Sequence, residues 1–125
     1  MITKSDIIKA ATENGFEDVG FTTADPFPEH KQFLIDRREA YQWAEAVGLE
    51  LINGTDPTTI MPNAKTIIVL MEVYFSKSYP RSIEGNFGRC YLDDDRVTRD
   101  GLSRRIKAFR SFLRDNGIDS KVPFN

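Results

Sequence analysis

Aromatic side chains follow the most apolar segment of the chain, and they are its first candidate binding groups. The run from Thr66 to Tyr74 leads into a stretch that carries Tyr74, Phe75, Tyr79, Phe87 and Tyr91. Planar rings stack on flat ligands and on one another. These residues could therefore bind a planar cofactor or substrate, or they could cover the edge of a sheet.

Cys90 lies beside Arg89 in the same stretch, and a neighbouring cation favours the thiolate form of a cysteine. It is therefore a candidate reactive or metal-binding thiolate, and the alternative is a small, half-buried side chain. The chain has one cysteine, which excludes an intrachain disulfide and any metal site or cluster that needs four thiolates.

Two further features could bind metals. Asp93, Asp94 and Asp95 offer the carboxylate oxygens that Mg²⁺ and Ca²⁺ prefer. Such a run could equally be a solvated loop, or could stabilise the start of the next helix through its dipole. His30, the lone histidine, lies at a predicted helix start, where it is either a surface residue or a metal ligand.

Basic residues crowd the last quarter of the chain, although the net charge is −2. The helix predicted there has a basic face that could bind phosphates, made of Arg99, Arg104, Arg105, Lys107, Arg110 and Arg114. Arg104, Arg105 and Arg110 are its candidate nucleic-acid contacts. The face could instead be solvated or paired with acidic neighbours.

The predicted elements that would position these residues alternate between helix and strand. Thr3 and Asp6 have the spacing of a capping box, and Asn14-Gly15 ends the helix that they start. A short strand follows over 19–23, and helical spacing runs from Glu29 to Val47. A strand over 66–75, apolar enough to be covered on both faces, is interrupted by Glu72, which lies at a wet or salt-bridged end or points into a polar pocket.

The C-terminal part begins with a long irregular segment over 76–97. Thr98 is the predicted N-cap of a helix containing Leu102, Ile106, Phe109 and Leu113, which Asn116-Gly117 ends. Ile118 to Phe124 then has the composition of a strand. A strand cut off near Asn125 would leave an unpaired edge, so we expect the fragment to form homo-oligomers.

Length and composition limit the class of protein to which this chain can belong. The chain has 125 residues, of which 29% are charged and 40% hydrophobic. These values are typical of one globular domain, or of part of one. Its apolar runs are too short to cross a bilayer and its start lacks the features of a signal peptide, so a cytoplasmic location without membrane contact is expected.

The segment Asp56 to Lys65 has the form D-P-x-x-I-M-P-x-A-K and leads directly into the apolar strand. Together with the first helix, the Val19-Gly20-Phe21 strand and the last helix, it resembles the N-terminal part of the epoxyqueuosine reductase family, which is related to reductive dehalogenases. The resemblance implies an α/β fold with a mixed β-sheet flanked by helices, similar to a partial nitroreductase-like, cobalamin-binding core.

The resemblance also implies cofactors and partners. Members are cobalamin- and iron-sulfur-dependent oxidoreductases, in which a C-terminal ferredoxin-like domain with two 4Fe-4S clusters receives electrons from an external donor. Residues 1–125 would then be one N-terminal domain, truncated before the cluster domain. The aromatic residues above and Cys90, as a cobalt ligand, would form one wall of the corrinoid pocket.

The chain departs from that family at two motifs. The family's G-R-D-Y-H signature corresponds to Leu92 to Val97, which contains neither tyrosine nor histidine, and its F-V-D phrase, with the catalytic acid, corresponds to Lys121 to Asn125, which contains no carboxylate. These departures favour a paralogous reductase with a different substrate. The alternative is a non-catalytic binding module of the same fold, which could bind tRNA through Arg104, Arg105 and Arg110.

Overall fold

The computed structural model describes residues 1–73, 80–82, 85–86 and 101–123. The chain divides into two compact units: Met1–Gly20 with Val69–Ser120, and Phe21–Ile68 with Lys121–Asn125. We call them the first and the second unit.

The first unit is built around two helices, α1 (Lys4–Glu13) and α5 (Leu102–Asp115). The predicted capping box starts α1. The Asp6 amide donates to the Thr3 hydroxyl at 3.2 Å, and the Thr3 amide donates to the Asp6 carboxylate at 2.8 Å. Asn14 and Asn116 end the two helices, and Gly15 and Gly117 follow them with positive φ, as predicted.

Apolar side chains join these two helices. Phe16 packs edge-on against Phe109, with ring centroids 6.2 Å apart, and Leu113 is almost fully buried. Ala10 and Ala11 of α1 are buried too, and their small side chains let the helices approach closely. The start of α5 differs from the prediction, since Gly101 is its N-cap; Thr98 lies outside the described residues.

Two strands, β1 (Asp18–Thr23) and β2 (Thr66–Met71), pair in an antiparallel sheet. The Glu17 amide donates to the Met71 carbonyl at 2.9 Å, and the Ala24 amide donates to the Lys65 carbonyl at 3.2 Å. Helices and a sheet in this combination confirm the α/β class. The nitroreductase-like likeness remains a prediction.

The apolar strand is not covered on both faces in the described part of the chain, so that prediction was wrong. Val69, Met71 and Val73 expose 52%, 56% and 55% of their surface. A continuous apolar run fits a strand buried on both faces, yet the run itself does not supply the layer that would cover the second face. We call these three side chains the apolar sheet face.

The second unit contains short helices. They are α2 (Pro28–Asp36), a 3₁₀ turn (Arg38–Tyr41), α3 (Gln42–Ala46), a second 3₁₀ turn (Asn53–Thr55) and α4 (Pro57–Ile60). The predicted helical region is therefore interrupted at Arg37, which lies outside the helical region of φ and ψ. Ala24, Leu34 and Ala44 are buried, and the buried Thr55 hydroxyl donates to the Ile52 carbonyl at 2.7 Å.

The turn with two prolines starts with a helix cap. The Asp56 carboxylate accepts from the Thr58 amide at 2.9 Å and from the Thr58 hydroxyl at 2.7 Å. Pro57 occupies the first helical position, where its missing N–H is not needed. The single turn of α4 therefore begins at a fixed place before β2.

The predicted strand at Ile118 does not form over the described residues 118–123. In the second unit, the Lys121 ammonium donates to the Ile60 carbonyl at 2.9 Å, at the end of α4. A cation is favourable at that position because the carbonyls at a helix C-terminus carry partial negative charge.

Buried and exposed leucines of α5 should differ in their contribution to stability. Leu113 is 2% exposed and Leu102 is 36% exposed. We expect Leu113→Ala to lower the free energy of unfolding by about 2–5 kcal/mol, because it leaves a cavity where a buried side chain was. The matched variant Leu102→Ala should cost less than about 1 kcal/mol. Urea unfolding measures both, and equal losses would contradict the described core.

The cap at Asp56 should make stability depend on pH. Hydrogen bonds from the Thr58 hydroxyl and then from its amide lower the pKa of the Asp56 carboxyl. The stabilisation is therefore present above the ordinary pKa of aspartate and is lost as the pH falls through the lowered folded value. The difference in melting temperature between wild type and Asp56→Ala should shrink in acid. In Thr58→Ala, the NMR titration midpoint of Asp56 should rise; an unchanged midpoint would contradict this cap.

Candidate functional site

Arg105 connects three parts of the first unit. Its guanidinium pairs with the Glu72 carboxylate just after β2, and its Nη1 donates to the Gly15 carbonyl at 3.2 Å. The same guanidinium lies 5.5 Å from the centre of the Phe16 ring. The side chains of Arg105 and Glu72 are only 20% and 18% exposed. Solvent therefore screens their attraction less than that of a surface pair.

This pair decides between the alternatives for Glu72. The carboxylate is salt-bridged at the end of the strand, which was one of the two interpretations of its place in an apolar run. It also changes the view of the basic helix, because Arg105 points towards the sheet and away from the solvent face. Arg105 is therefore a structural residue of the first unit.

Gly15 lies close to this arginine. A Cβ added to Gly15 would lie 3.3 Å from the Arg105 Cδ, and the φ of Gly15 is +84°. Both the left-handed backbone and the close approach of Arg105 favour a residue without a side chain. The turn after α1 is thus adapted to Arg105 as well as to the end of the helix.

A cleft of about 310 Å³ lies on the solvent side of α5. It is lined by Lys107, Arg110, Ser111, Arg114, Asp119 and Ser120. Arg110 crosses to the chain after the helix, where its Nη2 donates to the Ser120 carbonyl at 2.7 Å and its Nε to the Ser120 hydroxyl at 3.3 Å. We call this cavity the basic cleft.

The residues predicted to bind phosphates thus lie in different surroundings in the structure. Arg110 lines the basic cleft and Arg104 is exposed on α5, whereas Arg105 is half-buried against Glu72. Lys107 and Arg114, which belong to the predicted basic face, lie in the cleft with Arg110. Their spacing of three and four residues along α5 places the three cations on one side of the helix.

The predicted cofactor-binding residues lie outside the described part of the chain; they are Tyr74, Phe75, Tyr79, Phe87, Cys90 and Tyr91. The same holds for Asp93, Asp94 and Asp95. They stay predictions. His30 is described: its ring stacks on Phe33 with centroids 6.0 Å apart, and Arg37 lies 4.0 Å from the centre of the Phe33 ring.

The described residues lack two kinds of feature. In that part of the chain, no group of three or more His, Cys, Asp or Glu side chains is arranged to hold a metal ion. None of the helices described for this chain is long and apolar enough to cross a membrane.

The contact between Gly15 and Arg105 can be tested against a matched glycine. Gly48 also has a positive φ, of +86°, but a Cβ there would meet nothing within 4 Å. Alanine should cost about 1–2 kcal/mol at Gly48, through the left-handed backbone alone. It should cost more at Gly15, because Arg105 is held by Glu72 and cannot move away freely.

Chemical denaturation of Gly15→Ala and Gly48→Ala, each with and without Arg105→Ala, isolates this effect. The additional loss at Gly15 should disappear when Arg105 is replaced, and the loss at Gly48 should not change. An additional loss that persists without Arg105 would place its cause elsewhere.

The chain has relatives among known proteins. No protein-family model and no solved structure matches it. It is 35% identical over 130 aligned residues to an epoxyqueuosine reductase of Staphylococcus aureus (strain NCTC 8325 / PS 47), in a match that covers 96% of this chain and 31% of that protein.

Epoxyqueuosine reductases of two bacilli match a shorter part. That of Bacillus cereus is 32% identical and that of Bacillus anthracis 31% identical, each over 74 residues, or 59% of this chain and 20% of the relative. The chain spans about a third of the first relative and a fifth of the other two. The chain therefore belongs to the epoxyqueuosine reductase family.

Proposed function

We propose that this chain forms the N-terminal part of an oxidoreductase of the epoxyqueuosine reductase type. The observation that carries the proposal is the 35% identity to such a reductase along 96% of the chain. Since the match covers 31% of that relative, this chain would supply one part of an active site that the remaining protein completes.

The electron-transfer centres would lie in that remaining protein. A 4Fe-4S cluster is held by four cysteine thiolates, and this chain has one cysteine. We propose that a ferredoxin-like domain of the same protein carries two such clusters, and that an external donor reduces them. Cobalamin, when bound, would supply a low-valent cobalt centre as the reductant.

The apolar sheet face is the part of the described structure that fits a corrinoid. Val69, Met71 and Val73 lie at alternate positions, so they share one face, and about half of each is exposed. Gly20 of β1 lies beside Val69: a Cβ on Gly20 would lie 3.7 Å from the Val69 Cβ. An exposed apolar surface of this kind can pack against the plane of a macrocycle.

The apolar sheet face fits the apolar plane of a corrinoid and not its polar substituents. Hydrogen-bond partners for the polar substituents of a corrinoid would have to come from other parts of the protein. Tyr74 and Phe75 continue directly from Val73 in the sequence, which supports the proposal that the aromatic residues extend the same wall. The role of these side chains would be to bind and orient the ring and to exclude water from it.

The substrate of this reductase would differ from epoxyqueuosine. The segment Leu92 to Val97 contains neither the tyrosine nor the histidine of the family signature. The segment Lys121 to Asn125 contains no carboxylate to match the catalytic acid of the F-V-D phrase. We therefore propose a paralogous reductase.

Cobalamin titration of the full-length protein, followed by its absorbance spectrum, tests this function. Val69→Glu should weaken binding at least about ten-fold, because it places a charge against the apolar ring. Val47→Glu is the matched control: Val47 is 69% exposed on the other unit, and its replacement should leave the affinity unchanged.

Two results would contradict the proposal. One is an unchanged spectrum in the wild-type protein, which would favour a non-catalytic binding module. The other is a complete reading frame without cysteine-rich cluster motifs. Equal weakening by the two glutamate variants would show that the apolar sheet face is not the binding surface.

A further inference from the structure

The basic cleft has the composition of an anion site, and we propose that it binds a phosphate group. The inference does not depend on the redox function, since it rests on other residues of the first unit. It also differs from the predicted set Arg104, Arg105 and Arg110, because Arg105 is occupied by Glu72.

The orientation of α5 brings the cations of the cleft together. Lys107, Arg110 and Arg114 follow one another at intervals of three and four residues, which places them on one face of the helix. Phe109 and Leu113 are buried on another face. Because packing fixes that apolar face, the three cations are held towards solvent along about 10 Å of the helix axis.

Arg110 is oriented before any ligand arrives. Its hydrogen bonds to the Ser120 carbonyl and hydroxyl use two of the five N–H groups of a guanidinium. A planar fork held in this way can donate to two oxygens of a phosphate with little further loss of side-chain freedom. Ser120 therefore acts as a positioning residue for Arg110.

Arg114 completes the cleft on its other side. Its Nη2 donates to the Ser111 hydroxyl at 3.3 Å, and its Nε lies 3.8 Å from an Asp115 carboxylate oxygen. Both side chains of the pair with Asp115 are largely exposed, so the pair is weak and can be exchanged for a stronger anion.

Charge and hydrogen bonding together favour phosphate. Among the described residues, the lining holds three cationic side chains against one carboxylate, Asp119, so positive charge is in excess there. Ser111 and Ser120 add hydroxyl groups that can donate to phosphate oxygens. The phosphate could belong to a free ion or mononucleotide, or to the backbone of a nucleic acid, since the chemistry of recognition is the same.

Two probes separate these sources. Fluorescence anisotropy of a short labelled single-stranded RNA measures binding to a phosphodiester backbone. NMR titration with inorganic phosphate and with a mononucleotide measures binding of a small phosphate. We expect saturable binding of at least one probe, with shifts at Lys107, Arg110 and Arg114 in the NMR spectrum.

The test variant is Lys107→Ala/Arg114→Ala, which removes two cations of the cleft and retains the contact between Arg110 and Ser120. It should weaken binding at least about ten-fold, and for RNA it should reduce the slope of log affinity against log salt by about 1–2. Lys31→Ala/Lys65→Ala is the matched control, because it removes two exposed cations outside the cleft. It should change the affinity less than about two-fold.

Further outcomes identify the ligand or overturn the site. RNA binding that a mononucleotide does not displace supports a nucleic-acid backbone, and displacement or direct phosphate binding supports a small phosphate. Arg110→Lys should also weaken binding, since it keeps the charge but loses the fork. Equal losses in both double variants, or no saturable binding of any probe, would overturn the proposal.

Discussion

The half-buried ion pair between Arg105 and Glu72 is the constraint on which the first unit depends. Taking two charges partly out of water is costly, and their attraction offsets that cost only when both partners are present. Removing either one would leave an uncompensated charge between α5 and the sheet. The same guanidinium donates to Gly15, so the pair also holds the turn between α1 and β1. It fixes three segments that are distant in sequence.

The pair also sets the register of the strand. Side chains alternate along β2, so Glu72 continues the face that carries Leu70, and Met71 and Val73 lie on the other. A slip of one residue would expose Glu72 to solvent, separate it from Arg105 and turn Met71 inward. Pairing at Arg105 therefore determines that the apolar sheet face is the exposed one. The proposed cofactor wall and the ion pair are two consequences of one strand register.

The sequence predicted correctly those elements that are determined by residues close to one another in the chain. The Thr3 and Asp6 box, the ends of both helices at asparagine-glycine pairs and the apolar core of α5 require only neighbouring residues. The direction of Arg105 could not be predicted, because its partners lie 33 and 90 positions away in the sequence. The helical spacing of apolar residues likewise did not predict the break at Arg37, since that spacing continues across the 3₁₀ turn. The cover of an apolar strand depends on another layer, which the strand's own composition does not specify.

Arg105 and the basic cleft show how one helix can serve a core and a surface. Helix α5 directs one arginine inward, to a carboxylate, and presents Lys107, Arg110 and Arg114 outward. The inward contact and the burial of Phe109 and Leu113 prevent rotation of the helix, so the outward cations keep a fixed arrangement. Sequence alone groups all of these basic residues as one face. Packing separates Arg105 from the outward group, which retains the exposure and the hydrogen-bond donors that recognition of an anion requires.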